Sequence, residues 1–220
     1  MVESILTREI LKKYLRCKVI FLIKLKAVLS QCVETGIRAG INFLDTSPFY
    51  GDGKSEEVLG EALRRIPRHC YYIATKCGRY SSDWTKAFDF TEQRVLSEFD
   101  NSLRRLQLHS VDILHVHDFE YCQSPAYIAK TTLPAVLKIV QSGRAKYIGI
   151  TGYPLEEFQK VLDQTPVKVD VVLSYSRNVL VDMSLKVSVN ERLYLLISLI
   201  SLVYHSRTTY RTLRPRVLVS

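Results

Sequence analysis

No C-x-x-C pair occurs among the five cysteines of this 220-residue chain, Cys17, Cys32, Cys70, Cys77 and Cys122. An odd, widely spaced set argues against a disulfide framework and against a zinc site, so no metal is expected. Reduced thiols in a cytoplasmic protein are the expectation instead. Long hydrophobic runs are missing as well. Residues 19–23 are bracketed by lysines, and residues 193–204 make a stretch of only 12 residues, whereas a spanning helix needs about 20. The N-terminal apolar run is broken by Lys24 and Lys26, unlike the uninterrupted core of a secretion signal. Neither a membrane span nor a leader is expected.

Clustered charge is also scarce. The net charge of +9 invites a nucleic-acid or acidic-membrane partner. Counted by region, residues 1–26 and 183–220 are each +5, and residues 27–182 are −1. The basicity is scattered over the ends, without a basic face or interleaved aromatics. No nucleic acid and no membrane is therefore expected as a partner, and tethering by the basic ends is the minor reading. Glycine does not occur after residue 181, and Pro215 is the only proline there, so turn signals are few. No G-x-G-x-x-G opens a first helix, which weighs against a dinucleotide-binding open sheet.

What remains is an ordinary globular composition, 47% apolar and 24% charged, with a regular alternation in the middle of the chain. Helical spacing marks residues 26–36, 55–66, 91–106, 133–141 and 154–162. Ser55 and Thr91 read as helix caps, Gly36 and Gly143 as stops, and Pro154 as a first-turn proline. Short apolar runs at 41–44, 71–75, 111–116, 146–150 and 167–173 read as strands. They end near Asp45, Lys76, His117, Thr151 and Ser174. Repeating βα units of this size mean a parallel sheet with helical crossovers. A closed (β/α)8 TIM barrel and an open doubly wound sheet share that signal. Polar groups at strand end after strand end favour the barrel, whose sites gather at that rim. With five units, the α/β barrel is expected to be incomplete. Residues 1–24 and 183–220 read as divergent segments around a barrel portion at 25–182.

Asp45, Lys76 and His117 close three consecutive strands, and Tyr50 follows the first of them. Taken singly, each has a bland reading as cap, packing ring, rim charge or structural imidazole. Together they suit proton transfer coupled to carbonyl reduction. A phenol is a poor acid at neutral pH unless its phenolate is stabilised. A neighbouring ammonium does that, and a carboxylate holds the ammonium. A histidine across the site can orient the substrate oxygen.

The segment at 40–60 (GINFLDTSPFYGDGKSEEVLG) resembles the aldo-keto reductase signature G-x-x-x-x-D-T-[AS]-x-x-Y-G. The stretches IATKCG at 73–78 and SLRRLQLHSVDILHVHD at 102–118 are similar to two further motifs of that family. The resemblance implies a catalytic set of Asp45, Tyr50, Lys76 and His117, with His115 as a packed interior neighbour. The phrasing VDILHVHDFEY and IGITGYPLEEF looks like the L-galactose dehydrogenase-like branch, whose members act on small sugars and aldehydes with NADP or NAD. It further implies cofactor contacts from Asp45, Thr151 and Tyr175, although Gly152 stands where much of the family has asparagine. Tyr175 reads equally as a strand-end aromatic filling the core. The match is dense over residues 26–182 and fails outside them. The function implied is an NAD(P)-dependent oxidoreductase acting on a small-molecule carbonyl or sugar. The alternative is an inactive, truncated form of such an enzyme serving as a binding or interaction protein.

Overall fold

The computed structural model describes residues 27–175, together with Ser184. The segments expected to diverge, 1–24 and 183–220, lie outside the described residues apart from Ser184. Helix α1 occupies residues 27–38, followed by β1 (Phe43–Asp45), α2 (Lys54–Leu63) and β2 (Tyr72–Cys77). Next come α3 (Glu92–Leu106), β3 (Ile113–His117), a short α4 (Pro125–Tyr127) and α5 (Leu133–Gln141). A π-helical turn, Ile128–Thr132, joins α4 to α5. Strand β4 (Tyr147–Gly152), α6 (Leu155–Gln164) and β5 (Val171–Ser174) complete the series.

All four strand pairings are parallel, and the spatial order is β1-β2-β3-β4-β5. That order separates the two topologies left open by the sequence. A doubly wound sheet reverses direction at a switch point, whereas here every crossover advances the same way. Crossovers of one hand that never reverse put all helices on one face. The result is a half-barrel, five consecutive units of the (β/α)8 fold.

Alternation along the strands gives the sheet two different faces. Leu44, Ile73, Cys77, Leu114, Val116, Ile148, Ile150 and Val172 pack with the helices in the main core. Ala74, Ile113 and Val171 form a small second cluster with Phe43 and Tyr147 on the inner face. By the same alternation, Asp45, Lys76, His115, His117 and Thr151 are inner-face positions.

Several motif residues build scaffold. Glu56, fully buried on α2, accepts hydrogen bonds from Thr75 Oγ1 (2.5 Å) and Arg105 Nε (2.7 Å). Gly60 allows α2 to touch α3: a Cβ there would lie 2.3 Å from the Arg105 carbonyl oxygen. Asp112 ties three strands together, accepting from Arg68, from the Ile73 N–H (2.9 Å) and from Lys146 (2.8 Å). Burial pushes its carboxyl up, but those donors outweigh burial and hold it below the usual carboxylate value.

Local chemistry corrects three sequence expectations and adds one element the sequence did not announce. Gly36 does not stop α1, which continues to residue 38; Gly40, at φ 97°, makes the turn. The N-cap of α2 is Gly53, and the Ser55 hydroxyl is bonded to Thr46 Oγ1 (2.8 Å) instead. Pro154 is the N-cap of α6, one residue before its first turn. The α4–π turn segment was not legible, since residues 124–132 carry no clean helical period. Thr91 does cap α3, accepting from Arg94 N–H, and Gly143 follows α5 at φ 77°. Among the described residues no helix is long and apolar enough to cross a membrane.

Candidate active site

Three loops at the C-terminal ends of the strands surround the inner-face groups, the rim where barrel sites assemble. Residues 46–53 follow β1, residues 78–90 follow β2, and residues 118–122 follow β3. The middle loop folds back through an antiparallel bridge between Arg79 and Phe88. It is fastened to the first loop by Asp52, whose carboxylate accepts from Ser82 N–H and Oγ–H, both at 2.9 Å. Those two bonds hold the Asp52 carboxyl below its ordinary value.

Lys76 is buried at the end of β2, with its ammonium 2.6 Å from Asp45 Oδ2 and 2.9 Å from the Thr46 carbonyl oxygen. Asp45 leaves a third of its side chain open to the rim. The same ammonium stands 4.6 Å from the centre of the Tyr50 ring. Tyr50 meets His117 edge to face, ring centres 5.9 Å apart. The structure therefore brings Asp45, Tyr50, Lys76 and His117 into one cluster.

The electrostatics of the two histidines follow from where β3 places them. His117 is pulled down to about 2, first by burial, then by the charges of Lys76 and Arg79. It is neutral at physiological pH. Ser47 Oγ lies 3.2 Å from His117 Nδ1 and already accepts the Phe49 N–H at 3.1 Å. A hydroxyl donating to Nδ1 would leave the ring proton on Nε2. Nε2 is 3.6 Å from Asp118 Oδ1. His115, paired in register with Lys76 and Gly149, is also buried and pulled down to about 3, mainly by burial. A Cβ on Gly149 would lie 2.1 Å from His115 Nδ1, so the glycine is what makes room for this ring.

Thr151 is buried and paired in register with His117 on the inner face, beside the cluster. Tyr175 is not part of it: the side chain is 75% exposed, and its ring stands 6.3 Å from Tyr153. At Gly152 the missing side chain is replaced by a neighbour. A Cβ would lie 2.4 Å from Glu120 Oε2, and Glu120 Oε1 accepts the Tyr153 N–H at 2.9 Å.

Sequence reasoning missed Ser47, Phe49, Arg79 and Asp118. Arg79 and Asp118 form an ion pair at 2.6 Å, and the guanidinium lies 3.6 Å from the centre of the Phe49 ring. The available signal was adjacency, since Arg79 follows the Lys76 strand and Asp118 follows His117 directly. Among the described residues there is no group of three or more His, Cys, Asp or Glu suited to a metal.

Comparison with known proteins places these residues in context. The family model described as Aldo/keto reductase family matches residues 26–184. L-galactose dehydrogenase of Arabidopsis thaliana is 50% identical over 146 residues, 65% of this chain and 44% of that protein. D-arabinose 1-dehydrogenase of Saccharomyces cerevisiae is 30% identical over 157 residues, 67% of this chain and 45% of that protein. The aldo/keto reductase from Klebsiella pneumoniae, solved in complex with NADP and acetate, shares the fold. It aligns with a TM-score of 0.55 at 23% identity, covering 67% of this chain and 47% of that one. The chain spans less than half the length of the curated relatives it matches.

Proposed function

Because the chain belongs to the aldo/keto reductase family, we propose that it is an NAD(P)-dependent oxidoreductase interconverting a carbonyl and its alcohol. The observation that carries this reading is the Lys76 ammonium, held by Asp45 at 2.6 Å and seated over the ring of Tyr50. Tyr50 delivers a proton to the carbonyl oxygen in reduction and removes it in oxidation. Lys76 stabilises the phenolate that this leaves, and a buried cation does so more strongly than a solvated one. Asp45 fixes Lys76. His117, neutral and with its proton on Nε2, offers a hydrogen bond to the substrate oxygen without competing as an acid.

The residues present suit the nicotinamide end of NADP or NAD. Asp45 within the cluster and Thr151 beside it lie on the inner face, and the open ring of Tyr175 lies at the rim of β5. Nicotinamide, when bound, supplies or takes up the hydride at the carbonyl carbon. Two relatives are named for sugar oxidation, which supports a sugar or other small carbonyl compound as substrate. Residues 25–182 are the unit that carries the chemistry. Cys32, Cys70, Cys77 and Cys122 are free thiols, which agrees with a cytoplasmic setting.

The test is fluorescence titration of the purified full chain with NADPH and NADH, followed by turnover of aldoses. Tyr50→Phe is expected to cut turnover by about 10²–10⁴-fold with cofactor affinity retained. The alternative is an inactive form acting as an interaction protein. Absence of saturable binding up to millimolar cofactor would decide for that reading.

A further inference from the structure

We propose that Arg79 and Asp118 form the hydroxyl-recognition element of this site and, with the aromatic wall beside them, select a polyhydroxylated carbonyl substrate over an apolar one. The proposal rests on the oxidoreductase reading above and names its substrate class and specificity residues.

Arg79 and Asp118 come from consecutive units, one just past the end of β2 and the other immediately after β3. Their side chains are about one-fifth exposed, 22% and 20%, so the pair is accessible from the rim but largely withdrawn from water. The Arg79 guanidinium stacks on Phe49, and Phe49 contacts both Tyr50 (6.1 Å) and His117 (6.2 Å). The charged pair is therefore one ring away from the proton-transfer groups. Among the described residues, Arg79 Nε is buried without a hydrogen-bond partner, so the ion pair with Asp118 leaves part of the guanidinium's donor capacity unused. Asp118 adopts φ 49°, a conformation few non-glycine residues take, and its carboxylate faces both Arg79 and His117 Nε2.

The wall beside this pair is aromatic and open. Trp84 is 63% exposed and Tyr121 53% exposed. Phe88 stacks on Tyr121 at 4.6 Å, and Trp84 lies 5.5 Å from both rings. A planar donor fork beside a carboxylate matches neighbouring hydroxyls: the guanidinium donates to their oxygens, and the carboxylate accepts their protons. Aromatic faces take the C–H faces of the same molecule. An unbranched aliphatic aldehyde would cover the aromatics but bring no hydroxyls to the remaining donors and lone pairs of the ion pair. Sites built to bond hydroxyls reject such analogues for that reason.

Trp84 is the only tryptophan of the chain, so its emission reports occupancy of this wall independently of turnover. The full chain with NADPH present is titrated with an aldose and with an unbranched aldehyde of similar size, and kcat/KM is measured for both. The aldose is expected to change Trp84 emission saturably. Arg79→Met is expected to lower the aldose-to-aldehyde ratio of kcat/KM by about 10–100-fold, the range set by hydrogen bonds to charged groups. Tyr121→Leu keeps the reporter and alters an exposed ring; it is expected to lower the ratio about 3–10-fold, and it carries the test should Arg79→Met fail to fold. An unchanged ratio in folded variants overturns the proposal. Turnover of the aldehyde with no Trp84 response to the aldose overturns it too, while leaving the oxidoreductase reading intact. Arg79-dependent aldose binding without turnover supports the proposal and removes the oxidoreductase reading.

Discussion

Lys76 is buried, with a side chain 1% exposed, so the cluster depends on how its one charge is met. Replacing it with methionine leaves Asp45 facing a neutral chain in a half-closed site. Loss of one partner of a fully buried pair costs about 3–5 kcal/mol, and the third of Asp45 open to water reduces this to roughly 2 kcal/mol. Urea denaturation of Lys76→Met checks that figure, and its turnover is expected to fall with that of Tyr50→Phe. Ser47→Ala tests the histidine. Without the hydroxyl on Nδ1, the Nε2–H form loses its support, and kcat is expected to drop about 5-fold, one ordinary hydrogen bond, with cofactor affinity unchanged. An unaltered kcat would mean that Ser47 only shapes the turn. Asp45, Lys76 and His117 were legible because each closes an apolar run, a position that few chemistries other than a rim site use repeatedly. Ser47, Arg79 and Asp118 were not, since their partners are set by loop paths over 39 and 70 positions of sequence. No local pattern encodes such paths.

At the level of elements, the period of the sequence located each strand among the described residues within one to four residues. Boundaries moved where a side-chain bond or a left-handed residue outranked propensity, as at Gly40 and Gly53. The signature residues divided in a way the pattern did not announce. Asp45 and Tyr50 face the site, whereas Glu56, Gly60, Arg105 and Asp112 hold helices and strands in place. Two glycines test that division. Gly60→Ala forces a Cβ against the backbone of α3 and is expected to destabilise the fold by about 1–3 kcal/mol, read from the denaturation midpoint. Gly149→Ala collides instead with a side chain, His115. Combining it with His115→Ala is expected to cost less than the sum of the two single changes by at least ~1 kcal/mol. Strict additivity would show that the ring is not what the glycine accommodates.

Taken as a whole molecule, the half-barrel keeps two neutral imidazoles in its interior. His115 and His117 are held down to about 3 and about 2, against an ordinary 6.5, with burial the first cause in each case. In the unfolded chain both take up a proton below pH 6.5, while in the folded chain they do not. Stability is therefore fully present above that pH and declines as pH falls from 6.5 toward the folded values. At pH 5 the loss is roughly 2 kcal/mol per histidine, from about 1.4 kcal/mol per pH unit. Denaturation midpoints at pH 7 and pH 5 measure it. His115→Asn cannot take up the proton and is expected to show about half the pH-dependent loss. Equal losses in variant and parent would mean that other groups govern the acid response.

The strand order has a consequence in time as well as in space. Because β1 to β5 are neighbours in the order they are encoded, each pairing closes a segment of only about 20–40 residues, as between Asp45 and Ala74 or Gly149 and Val171. Every new strand adds to the edge just made, and none is inserted between earlier ones. On the ribosome, Asp45, Tyr50, Lys76 and His117 therefore all emerge ahead of β4. The four-residue cluster is thus encoded wholly within the first three units, and the later strands are added to an edge that already carries it.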